Sequence, residues 1–143
     1  MITLIKNADV YAPKSLGKQS ILVFNDKISK IGNFNEDLLE QLGVEYKVVD
    51  AEGAAVTPGF IDPHVHLLGG GGEGGFATRT PEIQLSDLLK SGITSVAGLI
   101  GTDGTTRHLT SLLAKARGLE IEGVSTYIYT GNYDFLHQHL LIM

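Results

Sequence analysis

The sequence predicts an α/β protein in two parts, a small β domain followed by strands that alternate with helices. Three observations carry this. Up to Thr57 the apolar residues come in short runs broken by turn residues. After Pro58 the apolar runs become continuous and are separated by helical stretches, the mark of buried strands in βαβ units. No cysteine pattern, basic cluster or long apolar tract points to another class, and 143 residues suffice for about one domain.

In the first part, residues 1–57, ITLIK opens as a strand and YAPKSLGK reads as a break. SILVF, the turn Asn25-Asp26-Lys27 and ISKIG continue it as antiparallel sheet. NEDLLEQLG is one brief helix, with Asn35 suited to the N-cap, acidic residues in the first turn and Gly43 past its end. YKVVD and AAVTP add two more strands. From Pro58 onward GFIDPHVHLL, ITSVAGLI and VSTYIYTG read as strands buried on both faces. A helix should open at Thr80-Pro81, where proline fits the first helical position, and close at Gly92. A second should run from about Arg107 to Glu122, with Leu109, Leu112, Leu113, Ala116 and Leu119 on one stripe and Gly123 at its end. Parallel strands with right-handed crossovers follow, and in such folds chemistry sits at the carboxyl ends of the strands.

Composition narrows the function classes. The net charge of −5 and the lack of a basic cluster argue against a nucleic-acid partner. No stretch reaches the ~18 apolar residues of a membrane span, and MITLIKNADV lacks the order of a signal peptide, so a cytoplasmic setting without a membrane partner is the expectation. Without cysteine, any metal must be held by imidazole and carboxylate.

The stretch PGFIDPHVHLLGGGGE, residues 58–73, then stands out. His64 and His66 are two apart late in a strand, so both rings face one side and can converge on a cation such as zinc. A bare pair of this kind is more often one core histidine and an incidental neighbour; at the end of a buried strand, two unpaired polar rings would be costly, which favours ligation. Gly69 to Gly72 allow positive φ and close approach to a ligand, although glycine alone also fits a plain surface loop. The Lys-Ser/Thr ending of a phosphate loop is missing, and Glu73 suits instead a substrate ammonium group. Thr102-Asp103 and Asn132-Tyr133 follow the next two strands and share the rim. Taken alone, Thr102 reads equally as a turn or helix N-terminal residue, Asp103 more often as a capping or turn residue, and Tyr133 more often as a packed aromatic.

PGFIDPHVHLLGGGGEGGFATRTPE, together with SGITSVAGLIGTDGTTRH and YTGNY, resembles the isoaspartyl (β-aspartyl) dipeptidase family of the amidohydrolase superfamily. The resemblance runs to about Tyr133. It implies a small β domain beside a TIM (β/α)8 barrel with a two-zinc centre that hydrolyses β-aspartyl dipeptides, in a homo-oligomer. Residue by residue it implies His64 and His66 as the first pair of zinc ligands and Glu73 as the group receiving the substrate's α-amino group, flanked by Gly71 and Gly72. Thr102 matches a substrate-contacting threonine, and Tyr133 a catalytic tyrosine that also binds substrate and polarises the scissile carbonyl.

A complete barrel takes about 250 residues, so residues 58–133 are expected to supply only its first three strands and two helices, an incomplete barrel. The family's bridging lysine, second histidine pair, catalytic aspartate and arginine clamps have no counterpart here. Residues 134–143, DFLHQHLLIM, read as a divergent tail in which the second His-x-His, His137 and His139, is coincidental. Three functional readings stand: part of a zinc-dependent dipeptidase, inactive alone; a non-catalytic binding or association module; or another metal-dependent amidohydrolase.

Overall fold

The computed structural model describes residues 1–131 and the strand at 139–141. The chain divides into two compact units, Met1–Pro58 and Gly59–Met143.

The first unit is a five-stranded sheet. β1 (Ile2–Tyr11), β2 (Ser15–Phe24) and β3 (Lys27–Gly32) form antiparallel hairpins. Asn25 and Asp26 make the two-residue turn between β2 and β3, with Asn25 at a φ of 53°, as such turns require. β4 (Tyr46–Asp50) and β5 (Ala55–Val56) both run parallel to β1. The antiparallel expectation therefore extends only through β3; the hairpin and α1 (Asp37–Gln41) return the chain so that β4 can run alongside β1.

Two local expectations need correction. YAPKSLGK is not a long break, because Ala8–Tyr11 pair with Ser15–Gln19 and backbone pairing overrides the turn-prone composition. Asn35 is not the N-cap of α1, which is Glu36; Asn35 works from one residue outside, accepting the Asp37 N–H on Oδ1 at 3.1 Å and the Leu38 N–H on its carbonyl at 3.2 Å. The sheet buries Leu4 and Leu22 with Leu39 of α1 on one face, and Ala8, Val10 and Ile21 on the other.

The second unit holds a four-stranded sheet in sequential order. β6 (Phe60–Val65), β7 (Ile93–Gly98) and β8 (Ser125–Thr130) are parallel, and β9 (His139–Leu141) adds to β8 antiparallel. The tail thus contributes a strand that its sequence does not announce. α2 (Leu85–Lys90) and α3 (Leu109–Ile121) bury Leu88, Leu112, Ala116 and Leu119 against Val96 and Ile128 of the sheet. β6 is not buried on both faces: it is an edge strand, and Phe60 and Ile61 are 59% and 74% exposed.

Both helices start later than the sequence suggests. α2 opens at Leu85 behind a capping box formed by Gln84 and Asp87, because Thr80 is engaged in backbone pairing with Gly70. α3 opens after His108, leaving Arg107 outside the helix with its side chain buried. Its end follows expectation: Gly123 takes a φ of +100° and Val124 donates to the Leu119 carbonyl at 3.0 Å, which releases the chain into β8.

Candidate active-site rim

The carboxyl end of β6 carries the two histidines. His64 lies in the strand, its N–H donating to Asp62 Oδ1 at 3.0 Å, and His66 follows the strand's last residue. Their ring centroids are 5.3 Å apart with the planes at 66°. The Nδ1 of His66 is buried with no hydrogen-bond partner among the described residues, and the edge of the ring carrying it packs on Gly101, where an added Cβ would come within 2.5 Å of Nδ1 and Cε1. Burial first, then the neighbouring His64 and Arg107, lower the pKa of His66, with the Glu73 charge opposing. That favours the neutral imidazole, the form that binds a metal.

Two adjacent rings and an orphaned buried nitrogen offer imidazole donors of the kind a metal takes. Among the described residues no group of three or more histidine, aspartate or glutamate side chains is arranged to hold an ion, and there is no cysteine.

The glycine run behind them is a folded loop. Gly69, Gly71 and Gly72 have φ of +87°, +72° and +106°. A Cβ on Gly69 would lie 2.2 Å from the Thr80 carbonyl oxygen, and one on Gly71 2.3 Å from that of Thr78. These glycines therefore serve the approach of the chain to itself, rather than leaving an open surface loop. Gly70 and Thr80 zip the base: the Thr80 N–H donates to Gly70 O at 2.9 Å and the Gly70 N–H to Thr80 Oγ1 at 2.7 Å. At Gly72 a Cβ would meet the Cβ of Asp103 only at ordinary contact distance, 3.5 Å.

The loop after β7 meets this one through side chains. Thr102 Oγ1 donates to Glu73 Oε1 at 2.7 Å, a contact between residues 29 apart in sequence. That bond is the main reason the Glu73 carboxyl is held below its ordinary pKa, with a smaller contribution from His66. Asp103 is buried, takes the Arg79 Nε at 3.2 Å, and accepts the Thr106 N–H at 2.8 Å as well as its hydroxyl. These Thr106 bonds, ahead of Arg79, depress the Asp103 pKa. Its role is that of a turn and loop anchor.

Of the residues singled out in the sequence, His64 lies at the carboxyl end of β6, while His66, Gly71, Gly72, Glu73 and Thr102 lie on the loops after β6 and β7, and Glu73 and Thr102 touch. Asn132, Tyr133 and His137 fall outside the described residues. Sequence reasoning missed Arg107, Arg79 and Gly101. Gly101 had a signal, a glycine directly after an apolar strand; the arginines had none, since their partners are 24 or more residues away.

A sequence model described as an amidohydrolase family matches residues 47–109. A dihydroorotase of Halalkalibacterium halodurans is 37% identical over 103 residues, 71% of this chain and 22% of that protein. An imidazolonepropionase of Alkaliphilus metalliredigens is 33% identical over 63% of this chain and 21% of its own length. Among solved structures, a β-aspartyl dipeptidase of Fervidobacterium islandicum superposes with a TM-score of 0.85 at 50% identity, over 93% of this chain and 35% of that one. The same enzyme in complex with a β-Asp-Leu dipeptide gives 0.84. The chain thus spans about a fifth to a third of the length of these relatives. In sequence and fold it corresponds to the N-terminal part of an isoaspartyl dipeptidase-like amidohydrolase.

Proposed function

We propose that this chain carries the first share of the site of a zinc-dependent hydrolase for β-aspartyl dipeptides. The observation that carries the reading is the pairing of Glu73 with Thr102 on the rim that also bears His64 and His66. A carboxylate held ionised by a threonine is suited to a substrate's free α-ammonium group. The identity of 50% to a β-aspartyl dipeptidase supports the same substrate class.

In this reading His64 and His66 supply two imidazole ligands. Bound zinc lowers the pKa of water from 15.7 to about 7 and polarises a carbonyl, which is the chemistry an amide hydrolysis needs. Glu73 fixes the amino end of the dipeptide, Thr102 keeps that carboxylate aimed, and Gly71 and Gly72 leave its approach unobstructed. Tyr133, placed by resemblance, would donate its phenol to the developing oxyanion. Residues 58–133 act as the opening strands of a barrel, inside a homo-oligomer, and the whole works as a soluble enzyme of the cytoplasm. The first unit serves as part of the small β domain.

A second reading has its own observation: among the described residues the two histidines have no third ligand beside them, short of the three that catalytic zinc sites use. On that ground the 143-residue chain alone should not turn over β-aspartyl-leucine. Joined after residue 133 to the remainder of a β-aspartyl dipeptidase, it should do so with zinc, and lose turnover on His64→Ala. A chimera that hydrolysed dihydroorotate or a hydantoin instead would assign another amidohydrolase activity. An inert chimera would favour the non-catalytic module.

A further inference from the structure

We propose that Arg107 is a positioning residue that clamps the glycine loop and thereby fixes the Glu73 carboxylate. Arg107 is 3% exposed, yet among the described residues none of its hydrogen bonds goes to a carboxylate. Nη1 donates to Gly70 O at 3.1 Å and Nη2 to Thr80 O at 2.9 Å, while Nε has no partner among the described residues. A buried cation served only by carbonyls is a costly arrangement for mere packing. What it achieves is specific: the two carbonyls belong to the two residues that zip the base of the loop, and the planar fork holds them at a fixed separation, where a lysine ammonium would be a rotatable point charge.

The clamp and the glycines depend on each other. A Cβ on Gly69 would come 2.9 Å from Nη2, besides striking the Thr80 carbonyl. Three residues beyond Gly70 the chain reaches Glu73, with the Gly75 N–H to Gly72 O bond of 3.0 Å shaping the turn beside it. Arg79 on Asp103 ties the returning limb to the loop after β7, next to Thr102. Arg107 therefore acts on the ammonium site through backbone and touches no substrate. The inference rests on the reading of Glu73 as that site, but its test does not.

The test follows carboxyl titrations by NMR in the chain with Arg107→Met, Arg107→Lys and Thr102→Val. Groups facing Glu73 are Thr102 and His66, and Glu120 on α3, held low chiefly by Arg117, is the control. Thr102→Val should raise the Glu73 pKa directly. Arg107→Met should raise it too, Arg107→Lys by less, with Glu120 unchanged in all three. Glu73 staying low in Arg107→Met, or Glu120 rising with it, would overturn the proposal, the second outcome meaning a merely structural arginine. Separately, Glu73→Gln should weaken β-aspartyl-leucine binding in the chimera at least tenfold more than that of its N-acetyl form. If it does not, the ammonium reading fails while the clamp still stands or falls on the titration.

Discussion

The glycines of the two units do different work. In the first, Gly17, Gly32, Gly43 and Gly53 all have positive φ, and an added Cβ at any of them would meet nothing within 4 Å. Gly17 and Gly43 serve bends whose bonds are local, as where Ser15 Oγ takes the Gly17 N–H and Glu40 O the Gly43 N–H, while Gly32 ends β3 and Gly53 donates to Asn7 O. On the rim of the second unit, Gly69 and Gly71 combine positive φ with backbone 2.2–2.3 Å from the missing Cβ, and Gly101 lies under a histidine ring. A turn glycine only permits a bend. A rim glycine also lets distant segments close to contact, and those segments carry the candidate chemistry.

The largest effect should come from adding a methyl group at each kind of site. Gly69→Ala must displace the Thr80 carbonyl as well as strain φ, and is expected to cost about 3 kcal/mol or more. Gly43→Ala, strained but unobstructed, should cost about 1 kcal/mol. Chemical denaturation of the two variants compares them directly, and equal losses would erase the distinction.

Next in size is recognition at the rim. In a chimera carrying the rest of the dipeptidase, Glu73→Gln is expected to weaken dipeptides with a free amino group roughly ten- to a hundredfold relative to N-acetylated ones. Equal losses on both substrates would remove Glu73 from amine recognition. Gly101→Ala should act on His66 alone, pushing its ring aside and weakening zinc binding by about tenfold while leaving the Gly43 region untouched. Unchanged zinc affinity, read by competition with a chromogenic chelator, would mean the ring does not need that seat.

The smallest effect separates the units by pH. Asp103 on the rim and Asp50 in the first unit both have lowered pKa values, owing first to Thr106 and to Asn7 respectively. A carboxyl lowered on folding stabilises above its unfolded value of about 3.9, and that contribution is lost as pH falls through the lower folded value. The Thr106 and Glu52 amide signals should therefore each titrate below pH ~3.9, independently of one another. A midpoint that moved at both sites when Thr106 alone was replaced by valine would show the two regions acting as one.

Much of this organisation is readable in the chain itself. The change of texture at Pro58, the parallel β6 to β8 and the Leu112, Ala116, Leu119 stripe follow from periodicity, which burial enforces. The meeting of Glu73 and Thr102 follows from strand ends sharing a rim. What periodicity cannot reveal is where long-range polar bonds override it. Thr80-Pro81 has good helix-start chemistry, but Thr80 pairs with Gly70 and accepts from Arg107, so α2 waits until Leu85. Arg107 looks like the first turn of a helix and is instead a buried fork. β9 belongs to a stretch with neither flanking turn signals nor a strand period, and gains its place by pairing with β8.

We propose that His64 and His66 form a metal-binding pair at the end of β6. Zinc retained by the purified chain after dialysis, measured against a His64→Ala/His66→Ala variant, tests it most directly. Zinc held by the chain, weakly as two imidazoles would hold it, and lost from the double variant is the predicted result. Equal zinc content in both would contradict the claim.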